Sequence, residues 1–334
     1  MQDSLRERRL LQDILPQRPK ISCIAASLSE PSLGLDKSTY NDILAEITEI
    51  LHCGWPVNFN RNLGSFERDG IKGLYNLLAT ALKCQHATRL VLFSSIGTAM
   101  QSPSREIPEE VPTHFNHAQG TGYSQSKYVA EHICQNASST RGLPIAIIRI
   151  GQIIGDTRFG VWNTTEATPL VIRSVKSTGC LPALEEKLEW MPVDTVARVT
   201  SEILLQQTEN GVCEVFNLVN PHALDWKTEF LPILREKGLV FDSVQPSEWL
   251  RRLENSDPDP KANPTVKLAG YFARKIAGAA SESERASGHW CSERTRQRSA
   301  SFAAVQAPDS ELVGRIVNYF DGQWDLPGIQ PIQT

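Results

Sequence analysis

Short apolar runs rich in β-branched residues recur along the first two-thirds of the chain, and patterns with helical spacing separate them. Near-continuous apolar runs of this length are typical of strands buried on both faces of a parallel sheet. Their alternation with helices predicts an α/β fold with a doubly wound parallel sheet. The predicted strands cover residues 21–26, 49–54, 89–95, 144–151 and 213–219, and the predicted helices cover residues 38–48, 65–83, 122–137 and 193–207.

The alternation ends near residue 220, and helix-like segments joined by polar stretches follow. We expect residues 1–220 to form an α/β domain and residues 221–330 to form a smaller, mainly helical lobe. Residues 279–300 are polar and poor in aliphatic side chains, which predicts a mobile loop or surface segment. The arginines of its SERTRQRS stretch, residues 292–299, are then solvated or, alternatively, face a phosphate group or an acidic surface.

Composition excludes several classes of function. The 334 residues carry a net charge of −4 and a pI near 6.0, so we expect no nucleic-acid or membrane binding. The N-terminus is charged and no window approaches a membrane span, which predicts a cytoplasmic protein. Seven scattered cysteines without a CxxC pair, and His114 and His117 without a third ligand nearby, predict neither a disulfide framework nor a metal site.

A candidate catalytic pair lies where one predicted helix begins. Tyr123 and Lys127 are four residues apart and therefore share a helix face. An ammonium near a phenol lowers the tyrosine pKa and makes the phenol a usable proton donor or acceptor. Ser94 and Ser95 end a predicted strand at the sheet edge where ligands bind, and they supply a hydroxyl to orient a carbonyl. The Tyr-x-x-x-Lys spacing alone often arises by chance, so the hypothesis depends on this context.

Sequence blocks between residues 20 and 325 resemble those of one enzyme group. The more specific blocks are GYSQSKYVAE (122–131), GQIIGDTRFGVWN (151–163) and WMPVD (190–194). They resemble the thioester reductase domain of fungal nonribosomal peptide synthetase-like and polyketide synthase enzymes. This group belongs to the extended short-chain dehydrogenases/reductases and carries a male-sterility-type NAD-binding domain. The resemblance implies a Rossmann-like sheet.

The resemblance also implies roles for individual residues. Ser95 matches the catalytic hydroxyl residue of the group, and Tyr123 matches its proton donor. Lys127 matches the lysine that binds the nicotinamide ribose and lowers the tyrosine pKa. Further cofactor-binding positions are implied along the groove, namely Cys53, Gly54 and Trp55 on the adenosine side and Ile150, Gly151 and Gln152 beside the nicotinamide.

The reaction implied by the resemblance is a reductive release. NADPH would reduce an acyl group held as a thioester on the phosphopantetheine arm of an acyl or peptidyl carrier protein. Tyr123 would protonate the developing oxyanion, and the resulting thiohemiacetal would collapse to an aldehyde and a thiol. Some relatives reduce the aldehyde again to an alcohol.

The chain departs from this group in its first part. The group begins with a strand and a Gly-rich turn whose N–H groups hold the cofactor pyrophosphate. Here no glycine precedes Gly34, and Ala26 and Ser27 stand where the group has Gly-Asp. We therefore expect a sheet without its first strands and Gly-rich loop. The chain is then a piece of a longer reductase, a non-catalytic remnant that binds a carrier protein or another partner, or an enzyme with a weakened cofactor site.

Overall fold

The computed structural model describes residues 2–206, 208–274 and 288–329. Its strands are β1 Glu49–His52, β2 Arg89–Ser95, β3 Glu106–Ile107, β4 Ile145–Ile150, β5 Ile153–Ile154, β6 Cys180–Pro182, β7 Lys187–Leu188, β8 Met191–Pro192, β9 Cys213–Leu218, β10 Leu224–Asp225, β11 Asp242–Val244 and β12 His289–Trp290. Its α-helices include α1 Gln2–Glu7, α2 Leu11–Ile14, α3 Lys37–Glu46, α4 Gly73–Ala81, α5 Gly122–Arg141, α6 Ala167–Arg173, α7 Val175–Thr178, α8 Val193–Leu204, α9 Leu231–Glu236, α10 Pro246–Glu254, α11 Glu293–Arg298, α12 Ala300–Ala303 and α13 Ser310–Trp324.

Four parallel strands form the central sheet in the order β1–β2–β4–β9. Successive residues of a strand point to opposite faces, and both faces of β2 are apolar. Leu90 and Leu92 pack with the apolar residues of α4 and α5, whereas Val91 packs with Val196 and Val199 of α8. Helices therefore cover both faces of the sheet, which confirms the predicted α/β fold with a doubly wound parallel sheet.

The predicted strand at residues 21–26 is wrong. The segment has no regular secondary structure, and the side chains of Ile21 and Ile24 are 40% and 51% exposed. A strand needs a neighbour to satisfy its backbone N–H and C=O groups. Strand β1 pairs with β2 on one side, and within the described ranges no strand pairs with its other side.

Most of the buried apolar side chains of the mainly helical lobe belong to one cluster. Helix α13 contributes Leu312, Ile316 and Phe320, which repeat every four residues along one helix face. The same cluster includes side chains from residues 154–190, among them Trp162. This cluster therefore combines side chains from before and after residue 220. The domain boundary there stays a prediction.

The loop predicted at 279–300 is wrong from residue 288 onward, where the chain forms regular secondary structure at the surface, and residues 279–287 lie outside the described residues. Strand β12 pairs with β3, and helices α11 and α12 follow it. The carboxylate of Glu109 accepts the backbone N–H groups of Arg294 and Thr295 at the start of α11. Arg294 also donates to the Val215 carbonyl at 2.8 Å, so the arginine-rich stretch is a packed helix.

We predict that Gly160→Ala destabilises the protein far more than Gly179→Ala. Both glycines have a left-handed backbone, with φ of +68° and +67°. A Cβ on Gly160 would lie 2.5 Å from the backbone nitrogen of Ile316, whereas a Cβ on Gly179 would meet nothing within 4 Å. Urea unfolding should show a loss of about 1 kcal/mol for Gly179→Ala and about 1–2 kcal/mol more for Gly160→Ala. Equal losses would contradict the close packing of this turn on α13.

Candidate active site

Helix α5 carries the predicted catalytic pair, and its start is fixed by two small residues. Thr121 caps the helix by accepting the Ser124 N–H at 3.2 Å. A Cβ on Gly122 would lie 2.5 Å from the carbonyl carbon of Asn62, so only glycine lets the first turn lie against this backbone. The predicted helix start at residue 122 is confirmed.

Tyr123 lies beside the end of β2. The Ser95 side chain lies close enough to its hydroxyl to lower the pKa of the phenol, and the Phe59 and Phe66 rings contact its ring edge-on, with centroids 5.0 and 6.4 Å away. Burial raises the pKa of Tyr123, and the Ser95 side chain opposes this shift only in part. At neutral pH the phenol therefore holds its proton and is poised as a donor.

Lys127 lies one helical turn after Tyr123, but its ammonium does not activate the phenol in this arrangement. The ammonium donates to the Phe93 carbonyl at 2.6 Å and lies 4.1 Å from the centroid of the Trp55 ring. Burial lowers the pKa of Lys127 to about 7. The predicted lowering of the Tyr123 pKa by Lys127 is therefore wrong for this arrangement, since the ammonium is held by β2 and Trp55 instead.

The residues assigned to the adenosine side lie just after β1. Cys53 and Gly54 are exposed, and a Cβ on Gly54 would meet nothing within 4 Å, so this surface is open. Trp55 is buried: its Nε1–H donates to the Ser126 hydroxyl at 3.1 Å, and its ring faces Lys127. Although Cys53 as a residue is exposed, partial burial of its thiol raises the pKa of that thiol, which is therefore protonated at neutral pH.

The residues assigned to the nicotinamide side lie at the end of β4 and directly after it. Ile150 pairs with Ser95 across the sheet, and the Gly151 N–H donates to the Leu218 carbonyl at 3.1 Å. The Gln152 side chain donates to the Glu166 carboxylate at 3.1 Å. The structure therefore places Ile150 next to Ser95, while Gln152 is engaged by Glu166.

His52 is a buried residue with an unsatisfied ring nitrogen. Its side chain is 4% exposed, and Nε2 has no hydrogen-bond partner. Burial lowers the pKa of His52 to about 4, and the nearby charge of Lys127 acts in the same direction. The folded protein therefore keeps this imidazole neutral at pH values where an unfolded chain would protonate it.

We predict that His52→Leu makes folding stability less dependent on acid pH. The folded-state pKa of about 4 is depressed below the ordinary 6.5, so the unfolded chain binds more protons between these values and stability falls as pH falls. His52 should account for a loss of about 2–3 kcal/mol between neutral pH and pH of about 4.5. Urea unfolding at both pH values should show this loss removed by His52→Leu and retained by His86→Leu, a change of an exposed histidine. Equal pH dependence in the two variants would refute the assignment.

A buried ion pair beneath the site was missed by sequence reasoning. Arg149 and Glu131 are both fully buried, with Nη2 and Oε2 2.8 Å apart. Ser94 donates to Glu131 Oε1 at 2.6 Å. Arg149 lies within the apolar run of β4, and a charge in a strand buried on both faces requires a buried partner. An arginine inside this apolar run was therefore the sequence feature from which a buried ion pair could have been predicted.

The described residues offer polar groups that fit the nicotinamide end of a cofactor, but no turn that fits its pyrophosphate. The Ser95 and Tyr123 hydroxyls and the end of β4 offer polar groups at the carboxyl ends of the strands, where such cofactors bind. On the other side, the described residues provide no Gly-rich turn between a strand and a helix N-terminus to hold a pyrophosphate. Nor do they contain a group of three or more potential metal ligands.

Comparison with known proteins decides the family. Residues 1–200 match the family model described as male sterility protein, an NAD-binding family. The chain belongs to the male sterility protein family. The non-canonical non-ribosomal peptide synthetase ascB of Acremonium egyptiacum is 32% identical to this member over 76% of the chain and 24% of its own length. A carboxylic acid reductase of Neurospora crassa is 31% identical over 74% of the chain and 24% of its own length.

The fold of this male sterility family member also matches a solved structure. The terminal R domain from the myxalamid PKS-NRPS biosynthetic pathway superposes with a TM-score of 0.78 at 22% identity, covering 97% of this chain and 82% of that domain. The chain spans about a quarter of the length of the two curated relatives. Within the described residues, no helix has the length and apolar character needed to cross a membrane.

Proposed function

We propose that this chain catalyses the NADPH-dependent reductive release of an acyl thioester from a carrier protein, giving an aldehyde or an alcohol. The proximity of the Ser95 and Tyr123 side chains at the carboxyl end of β2 supports this proposal most directly. Two hydroxyls in this arrangement can bind a carbonyl oxygen and deliver a proton to it. Membership in an NAD-binding family supports a hydride as the reductant.

In this proposal NADPH, when bound, supplies the hydride. Ser95 hydrogen-bonds the thioester carbonyl oxygen, and Tyr123 donates its phenolic proton to that oxygen as negative charge develops. The carbon gains one hydride and the oxygen gains one proton, which gives a thiohemiacetal. Cleavage of its C–S bond, with the hydroxyl proton passing to sulfur, releases the aldehyde and the thiol. Lys127 and the residues Ile150–Gln152 would hold the nicotinamide end of the cofactor.

The proposed partner is a carrier protein that bears the acyl thioester. Relatives named as a peptide synthetase and a carboxylic acid reductase support a substrate delivered on such a carrier. We assign cofactor contacts to residues 1–220 and substrate and carrier contacts to residues 221–330. The preference for NADPH over NADH belongs to the same proposal.

A second candidate function is a non-catalytic module that binds a carrier protein or a synthetase. Two observations favour it. Lys127 is 2% exposed, and its ammonium already donates to the Phe93 carbonyl, so it is not free to meet a ribose. In addition, the described residues lack a Gly-rich phosphate-binding turn.

Titration of the purified chain with NADPH and NADH, followed by tryptophan fluorescence and thermal stability, tests the first proposal. We expect a saturable effect with NADPH, a weaker effect with NADH, and loss of both in Lys127→Ala. Adding an acyl-pantetheine thioester should then oxidise NADPH and yield an aldehyde that a hydrazine can trap. If a folded chain shows no response up to millimolar NADPH, the enzyme proposal fails and the binding module remains, to be tested with an acylated carrier protein.

A further inference from the structure

Three successive turns of α5 lie against three consecutive residues of β2. Tyr123 lies beside the Ser95 side chain, Lys127 donates to the Phe93 carbonyl at 2.6 Å, and Glu131 accepts from the Ser94 hydroxyl at 2.6 Å. The residues on α5 are four apart and therefore lie along one face of the helix. The bonds of Lys127 and Glu131 therefore align this face of the helix with the strand.

Glu131 is itself rigidly held. Arg149 Nε donates to Oε1 at 3.0 Å and Nη2 donates to Oε2 at 2.8 Å. Nη2 also donates to the Glu110 carbonyl, and Nη1 donates to the Pro108 carbonyl. Both charged side chains are fully buried. A carboxylate bonded at both oxygens has little freedom to rotate or to leave its position.

The surroundings of Lys127 give Glu131 a second effect. The titratable groups that act on the buried ammonium are Glu131 and Cys134 on α5 and Cys53 after β1, and His52 faces it from the end of β1. The burial of Cys53 and Cys134 raises the pKa of their thiols, so both are neutral at neutral pH. Among these groups, Glu131 therefore supplies the negative charge that compensates the buried ammonium.

We propose that Glu131, held in place by Arg149, is a positioning residue that keeps Lys127 protonated and bonded to the Phe93 carbonyl, and so holds Tyr123 beside Ser95. The inference rests on the proposed function for its catalytic meaning, because Tyr123 and Ser95 are the groups that it aligns. The charge and the bonding of Lys127 can nevertheless be measured without cofactor or substrate. Failure of this inference is therefore distinguishable from failure of the proposed reaction.

The test is the titration of Lys127 in protein labelled with ¹⁵N at the lysine side chains. The Nζ resonance of Lys127 is assigned by its loss in Lys127→Met, and its chemical shift is followed against pH in the cofactor-free chain. We expect Glu131→Gln to lower the titration midpoint of Lys127 by at least about one pH unit, which is a tenfold change in its proton affinity. Ser94→Ala is the matched control, because it removes one bond to Glu131 but leaves the ion pair, and it should leave the midpoint unchanged.

Glu131→Gln leaves Arg149 without its partner, so the double variant Glu131→Gln/Arg149→Gln provides a second measurement if the single variant does not fold. Arg149 is not among the groups that shift Lys127, whereas Glu131 is, so the midpoint should fall in the double variant as well. A midpoint within about 0.3 pH units of the wild-type value in the variant that folds would overturn the proposal, since a merely structural pair would leave Lys127 unchanged. A downward shift in Glu131 variants alone supports it.

Discussion

Arg149→Leu should destabilise the protein by about 3–5 kcal/mol, the loss that follows when one partner of a buried ion pair is removed. The variant leaves the Glu131 carboxylate fully buried with no guanidinium beside it and leaves the Pro108 and Glu110 carbonyls without their donor. Desolvation of the unpaired charge produces most of the cost. Urea unfolding at neutral pH measures this loss of stability. The slope of the free energy of unfolding against urea concentration should be the same as in the wild type if unfolding is two-state in both.

Two matched variants make this prediction specific. Arg149→Leu combined with Glu131→Leu removes both charges and should recover much of the lost stability, because apolar residues can replace a buried pair at little cost. Arg158→Leu breaks an ion pair of the same 2.8 Å length with Asp13, but its side chains are 64% and 49% exposed. That variant should lose less than about 1 kcal/mol. Equal losses in Arg149→Leu and Arg158→Leu would refute the assigned role of burial.

The sequence was sufficient to predict β2, β4 and β9 of the central sheet because these strands are largely buried on both faces. In β4, all six residues are buried, so the apolar pattern is continuous and not confused by a solvent-facing side. The start of α5 was predictable for a similar local reason, since Gly122 follows the capping residue Thr121. Local signals of this kind survive in one sequence without knowledge of distant contacts.

The errors came from features that depend on distant neighbours. Residues 21–26 have a strand-like composition, but a strand forms only where another strand pairs with it. The stretch at 292–299 is polar, yet it forms a helix because Glu109, far away in sequence, caps it. In the candidate site the residue types were predictable, whereas the attachment of Lys127 to the Phe93 carbonyl was not, because a backbone acceptor leaves no mark in the sequence.

Tyr123→Phe should reduce the rate of NADPH oxidation with an acyl thioester by about 10²–10⁴-fold, which is the contribution expected of a positioned proton donor. The substitution removes only the hydroxyl that lies beside Ser95 and keeps the ring against Phe59 and Phe66. We therefore expect the melting temperature to change little while the turnover number falls. Steady-state kinetics with a saturating acyl-pantetheine substrate measures the effect.

Tyr128→Phe is the matched control for this prediction. Tyr128 is on the same helix and is 8% exposed, but its ring contacts Phe115 and His132. It should retain wild-type turnover, because its hydroxyl has no part in the proposed proton transfer. Since the pKa of Tyr123 is raised, the acidic form of its phenol persists at neutral pH, and wild-type turnover should not rise with pH there. If Tyr123→Phe kept a rate within about fivefold of Tyr128→Phe, proton donation would have to come from another group, and the role proposed for the Ser95–Tyr123 pair would be wrong.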